Sequence, residues 1–158
     1  MQSAEQTRAV YESIPGGAEL LNWMGGIPAY HDGEIVSLLL HRRSSSFLQV
    51  TSYLRVEYGS DGLAQMLKRA VVTFELKGIC YLDLNGFSHQ NVINSLVFGR
   101  RPKDLEVSPY YDFVSTDDDF EIMLEPCYGL DGLIRCNSIA ISFKPGEPED
   151  SKIKRNPP

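Results

Sequence analysis

The chain has 158 residues, of which 42 % are apolar and 23 % are charged, and its net charge is −6. This length and this ordinary globular composition exclude a fibrous protein and a disordered one. No apolar run approaches the ~20 residues needed to span a bilayer, and the polar residues 1–8 do not form a secretory signal. We therefore expect a cytoplasmic protein without a membrane segment, with one domain over residues 1–146 and a charged tail over residues 147–158.

Two short helices are predicted before any strand. Ser3 and Gln6 have the spacing of a capping box, which starts a first helix that ends before Pro15. A second helix is predicted over residues 18–24, where a pair of glycines follows and ends it.

From residue 34 onward the apolar residues follow the two-residue period of strands. Gly78 is expected to mark a bulge, and Asp131-Gly132 is a hairpin signal. Residues 63–69 fit either a helical turn or a strand. The fold class is therefore α+β and mostly β: two short N-terminal helices capping an antiparallel sheet or a partly closed β-sandwich. Strands are predicted over residues 34–42, 48–58, 70–84, 92–98, 120–125 and 133–143.

The sequence contains no catalytic signature. It has no phosphate-binding loop, no dinucleotide glycine fingerprint, no nucleophile elbow and no zinc-protease motif. The chain has three cysteines, Cys80, Cys127 and Cys136. Their odd number argues against a disulfide framework, and the lack of a C-x-x-C pair argues against a zinc ribbon. We expect buried, reduced thiols, no enzymatic activity, no cofactor and no metal.

The acidic residues are concentrated in one stretch. Residues 104–131 contain nine Asp and Glu residues and no Lys or Arg, and three aromatic residues lie among them in a predicted long loop. Such a surface repels nucleic acid and attracts a basic protein, and tyrosines often anchor protein interfaces. A solvated loop that only aids solubility is the alternative. The predicted partner-binding residues are Tyr110, Tyr111, Asp112, Phe113, Asp117, Asp118 and Asp119.

Two segments give the chain a family resemblance. Residues 23–35 (Trp-Met-Gly-Gly-Ile-Pro-Ala-Tyr-His-Asp-Gly-Glu-Ile) and 86–93 (Gly-Phe-Ser-His-Gln-Asn-Val-Ile) resemble two motifs of the immunity protein 50 family of bacterial polymorphic toxin systems. The chain departs from them at Gly33, where alanine is usual, and at Ser88, where asparagine is usual. The resemblance covers about residues 15–145. Its motif residues, structural or in contact with a partner, are Trp23, Pro28, His31, Asp32, Glu34, Gln90 and Asn91.

The resemblance implies a mostly β antitoxin that binds and neutralises a cognate toxin domain and has no catalytic residues. The acidic loop would suit a basic toxin such as a nuclease, whose cleft must hold phosphate. Two alternatives remain open: a small metal-dependent hydrolase that uses His31, Asp32 and Glu34, and a structural module of a larger assembly. The sequence also leaves open whether the chain forms a homodimer, and whether the His31-Asp32 turn is functional or architectural.

Overall fold

The computed structural model describes residues 2–101 and 119–152. In these ranges the chain is α+β and mostly β, as expected. No helix in them has the length and apolar character that crossing a membrane requires. The elements in chain order are α1 (Ala4–Glu12), α2 (Gly17–Met24), β1 (Ile35–Leu39), β2 (Ser46–Ser52), β3 (Arg55–Tyr58), β4 (Ala64–Leu67), β5 (Ala70–Asn85), β6 (Val92–Arg100), β7 (Phe120–Tyr128), β8 (Asp131–Pro145) and a 3-10 helix (Glu149–Lys152).

The two helices begin and end where the sequence predicts. The capping box is present, since the Gln6 N–H donates to Ser3 Oγ at 3.2 Å and the Ser3 N–H donates to Gln6 Oε1 at 2.8 Å. The second helix ends at Met24, and the residue that caps it, Gly25, has a left-handed φ of 80° that suits a residue without a Cβ.

Six strands form one antiparallel sheet in the order β1-β2-β5-β8-β7-β6, and β3 and β4 form a separate hairpin. The single strand predicted over residues 48–58 is therefore wrong. Its first half is β2, whose last residue, Ser52, pairs with Ala70 at the start of β5. The next residue, Tyr53, exchanges both backbone hydrogen bonds with Ala29, at 2.7 and 3.2 Å. Beyond it the Leu54 N–H donates to Leu67 O at 2.8 Å, at the entry to the β3–β4 hairpin.

Three further details of the strands were open or are corrected. Residues 63–69, which fitted either structure, contain the strand β4. The turn between β7 and β8 lies at Gly129 and Leu130 and not at Asp131-Gly132, because those two residues already pair with β5. The irregularity near Gly78 lies between Ile79 and Tyr81.

One apolar core fills the space between the two helices and the sheet. Phe74 of β5 is fully buried, and its ring contacts those of Phe98 at 5.2 Å and Tyr30 at 6.3 Å between centroids. Tyr11 of α1 packs edge-on against Phe98, and its hydroxyl lies 2.8 Å from that of Tyr30. Burial raises the pKa of both phenols, so this buried pair stays neutral and satisfies its polar atoms mutually.

Candidate functional site

The two motif segments lie side by side. The Asp32 N–H donates to Ile93 O at 2.9 Å, the Ile93 N–H to Gly33 O at 2.8 Å, and the Ile35 N–H to Asn91 O at 2.9 Å. These bonds join the start of β1 to the start of β6, the two edge strands of the sheet, and close the sheet into a ring of strands at this end. We call the paired segments, residues 30–35 and 88–93, the seam.

The His31-Asp32 pair occupies the centre of a tight turn in the seam. The Gly33 N–H donates to Tyr30 O at 2.8 Å, and Asp32 has a left-handed φ of 62°. An Asp tolerates this conformation better than most side chains. His31 and Asp32 are 58 % and 59 % exposed at their side chains, with Nδ1 and Oδ2 3.1 Å apart. The backbone of the turn is therefore architectural, while both side chains remain available to solvent.

The backbone around Gly33 leaves no room for a side chain. A Cβ at this position would lie 2.4 Å from Thr51 O and 2.9 Å from Tyr30 O, closer than real Cβ atoms approach. Thr51 and Glu34 hold this contact in place, since the Thr51 N–H donates to Glu34 O and the Glu34 N–H donates to Thr51 Oγ1, both at 2.8 Å. An alanine here would push β2 away from the seam.

Asn91 fixes the second segment of the seam from within. Its Oδ1 accepts from the N–H groups of Ser88 at 2.9 Å and Leu130 at 3.1 Å, and its Nδ2 donates to Ser88 O at 2.8 Å. The residue is buried, whereas the neighbouring Gln90 is exposed. Asn91 thus has a structural role, and it sets the path of the loop that precedes β6.

Trp23 and Pro28 also belong to the fold and not to the exposed surface of the seam. Pro28 is buried, and the half-buried Trp23 ring lies 5.2 Å from that of Phe143 and 4.7 Å from Lys68 Nζ. Of the seven motif residues, four are exposed at the seam: His31, Asp32, Glu34 and Gln90.

An open cleft of about 690 Å³ lies beside the seam. We call it the acidic cleft, because four carboxylates line it against a single guanidinium, which pairs with one of them. The loop that Asn91 fixes supplies two further exposed side chains, one aromatic and one imidazole. The cleft's charged and rim residues are Asp32, Glu34, Arg69, Phe87, His89, Glu147 and Asp150.

The negative charge of the cleft also affects a tyrosine in its wall. Tyr53 lines the cleft at the break between β2 and β3 and is buried. Burial raises the pKa of its phenol, and the nearby Asp32 carboxylate raises it further, since a second negative charge there is unfavourable. The cleft therefore favours a positively charged or neutral group and disfavours an anion.

Six of the seven predicted partner-binding residues lie outside the described residues: Tyr110, Tyr111, Asp112, Phe113, Asp117 and Asp118. The seventh, Asp119, is fully buried. Its Oδ1 accepts from Asn137 Nδ2 at 2.9 Å, and its Oδ2 lies 3.7 Å from the Cys80 thiol that donates to it. Asp119 is therefore a buried hydrogen-bond acceptor. The prediction that it lies on an exposed acidic surface is wrong.

The three cysteines have three different environments. Cys136 is buried; desolvation, then the nearby Cys80 and Asp119, raise the pKa of its thiol to about 12. Cys80 is partly buried, while Cys127 is exposed, contrary to the expectation of buried thiols.

Comparisons of the chain with protein-family models, with curated proteins and with solved structures find no match. The seam and the acidic cleft are therefore interpreted from their own chemistry. The fold brings His31, Asp32, Glu34 and Asn91 together from two distant segments. Sequence reasoning missed Arg69, Glu147 and Asp150, because only the pairing of β5 with β8 places them beside the seam. Phe87 lies within the second motif segment but was not among the predicted site residues.

Proposed function

We propose that this protein is an immunity protein that binds a cognate toxin domain and neutralises it by covering its surface, and that the acidic cleft makes part of the contact. The observation that carries this proposal is the position of Asp32 and Glu34. These residues belong to the motif that resembles the immunity protein 50 family, and both line an open, negatively charged cleft.

The charge of the cleft suits a basic partner. Asp32, Glu34, Glu147 and Asp150 face one guanidinium, that of Arg69, so a net negative potential extends into the solvent. Such a potential speeds the encounter with a positively charged surface and fixes its orientation. A nuclease toxin would present such a surface, because its cleft binds phosphates, and carboxylates seated there would take the place of the nucleic acid.

The rim of the cleft supplies an apolar contact. Phe87 is 60 % exposed, and aromatic residues are enriched in protein interfaces because they bury a large rigid area. A stable interface buries about 800 Å² on each partner, which is more than the cleft offers. The acidic stretch over residues 104–118 therefore stays a prediction for the remainder of the contact.

The alternative function is a small metal-dependent hydrolase that uses His31, Asp32 and Glu34. Among the described residues, the ligand atoms that cluster with those of His31 and Asp32 belong to Cys127 and not to Glu34. A structural module remains distinguishable by experiment, because it would bind its partner without abolishing toxicity.

The test removes charge from the cleft without changing the shape of the side chains. We expect the D32N/E34Q/D150N variant to bind the C-terminal domain of the toxin-like protein encoded immediately upstream at least about tenfold more weakly than the wild type, with less dependence on salt. Isothermal titration calorimetry measures the affinity, and growth during co-expression with the toxin domain measures protection.

A matched control changes the net charge equally at three exposed sites outside the cleft. The E12Q/E19Q/D83N variant should bind and protect like the wild type. If both triple variants kept full affinity, the acidic cleft would not be the contact surface. If the wild type bound the toxin domain but did not protect growth, the chain would be a structural partner and not an inhibitor.

A further inference from the structure

We propose that His31, Asp32 and Cys127 form a surface site for a divalent transition metal ion, with Zn²⁺ as the ion that the three donors suit best. One ligand atom from each residue lies within 4.8 Å of the other two. The proposal does not depend on the toxin partner, and its test uses the isolated protein.

Two separate pieces of backbone bring the donors together. His31 and Asp32 occupy the two central positions of the seam turn, whose Asp32 N–H is bound to Ile93 O. The same Ile93 pairs with Pro126 on its other side, while Val92 pairs with Tyr128. Cys127 is therefore the additional residue of a β-bulge, a feature that commonly redirects a side chain.

The bulge and the turn are both fixed to Ile93, which is buried and joins the seam to β7. This shared anchor holds the two backbone segments that carry the donors next to each other. Zn²⁺ holds nitrogen, oxygen and sulfur ligands at about 2.0–2.3 Å, which places neighbouring ligand atoms of a tetrahedron roughly 3.4–3.6 Å apart. The Nδ1–Oδ2 distance of 3.1 Å between His31 and Asp32 is near this value. Because the side chains are exposed, rotation about their torsions can bring the thiol of Cys127 to the same distance.

The chemistry of the set selects the class of metal. An imidazole, a carboxylate and a thiolate together are typical of zinc, whereas Ca²⁺ and Mg²⁺ prefer oxygen ligands alone. Three protein ligands leave the fourth tetrahedral position for water or for a group from another molecule. Because all three donors are exposed, that fourth position faces solvent.

The exposure of Cys127 is an independent reason to look for a ligand here. Free cysteines are among the most buried residues of proteins, and an exposed thiol is open to oxidation. Cys136 is buried and Cys80 is partly buried, in line with that rule, while Cys127 departs from it beside an imidazole and a carboxylate. A metal-binding role accounts for that combination.

The test titrates the untagged, reduced full-length protein with Zn²⁺ in competition with a chromogenic chelator. We expect one equivalent to bind, and we expect C127S and H31A each to weaken that binding by at least about 100-fold, since even outer partners of metal ligands contribute 10–100-fold. The matched control is H89A, which removes a nearby exposed imidazole outside the cluster and should bind like the wild type.

Two further readouts keep the proposal falsifiable if H31A fails to fold. Co²⁺ should give a thiolate charge-transfer band with the wild type that is missing in C127S, and Zn²⁺ should slow the alkylation of Cys127 by iodoacetamide, as measured by mass spectrometry. Absence of stoichiometric Zn²⁺ binding by the wild type would overturn the proposal. Equal binding by the wild type and C127S would overturn it as well.

Discussion

Replacement of Gly16 by Ala is expected to lower the free energy of unfolding by more than about 4 kcal/mol, the largest effect we predict for a single substitution. Gly16 has a φ of 82°, and a Cβ there would lie 1.7 Å from Ile141 O of β8. The adjacent Pro15 O accepts from the Ile141 N–H at 2.7 Å, so the link between the two helices lies directly against the sheet. The substitution must break this hydrogen bond or displace β8.

Gly25 provides the matched control for that prediction. It has nearly the same φ, 80°, but a Cβ there would meet nothing within 4 Å. Gly25→Ala therefore carries only the conformational penalty of a left-handed residue, about 1–2 kcal/mol. Urea unfolding followed by the fluorescence of Trp23, which packs against Phe143, compares the two variants. Equal losses in both would contradict the close contact between Gly16 and β8.

Replacement of Asn91 by Ala is expected to lower the free energy of unfolding by about 2–4 kcal/mol. The buried amide side chain accepts from the N–H groups of Ser88 and Leu130 and donates to Ser88 O. When the Asn91 Oδ1 atom is removed, the buried Leu130 N–H loses this hydrogen-bond acceptor, and an unsatisfied buried donor costs about 1–3 kcal/mol. The loop that carries Phe87 and His89 loses its anchor too, so affinity for the proposed toxin partner should fall together with stability.

Gln90→Ala is the control for Asn91, because Gln90 is adjacent in the chain and exposed. We expect its free energy of unfolding to stay within about 0.5 kcal/mol of the wild type. Thermal and urea unfolding measure both variants under the same conditions. A loss for Asn91→Ala as small as that for Gln90→Ala would mean that the amide hydrogen bonds do not hold the seam.

The secondary structure could be predicted because its causes are local. The Ser3 and Gln6 spacing, the glycines after residue 24 and the two-residue period from residue 34 each act within a few neighbours. The break between β2 and β3 could not be predicted in this way. The apolar alternation continues through residues 48–58, but after Ser52 the chain pairs with other segments, since Tyr53 is bonded to Ala29 and the Leu54 N–H donates to Leu67 O.

The candidate site depended on contacts between distant parts of the chain. The motif segments supplied candidate residues, but they did not indicate that His31 would lie close to Cys127, or that Glu34 and Asp150 would line the same cleft. Both of these spatial relations depend on the strand order and on the bulge at Cys127. Asp119 shows the opposite case. Its position in an acidic run predicted exposure, yet its hydrogen bond to Asn137 places it in the interior.

Hydrogen–deuterium exchange of the chain with and without the proposed cognate toxin domain tests most directly whether the acidic cleft is the contact surface. We predict that amides over residues 86–90 and 147–151 exchange more slowly in the complex, because both segments line the cleft. Residues 41–45, in the turn at the opposite end of β1, should exchange at the same rate in both states. Protection confined to residues 41–45, with none at the two cleft segments, would contradict the proposed contact.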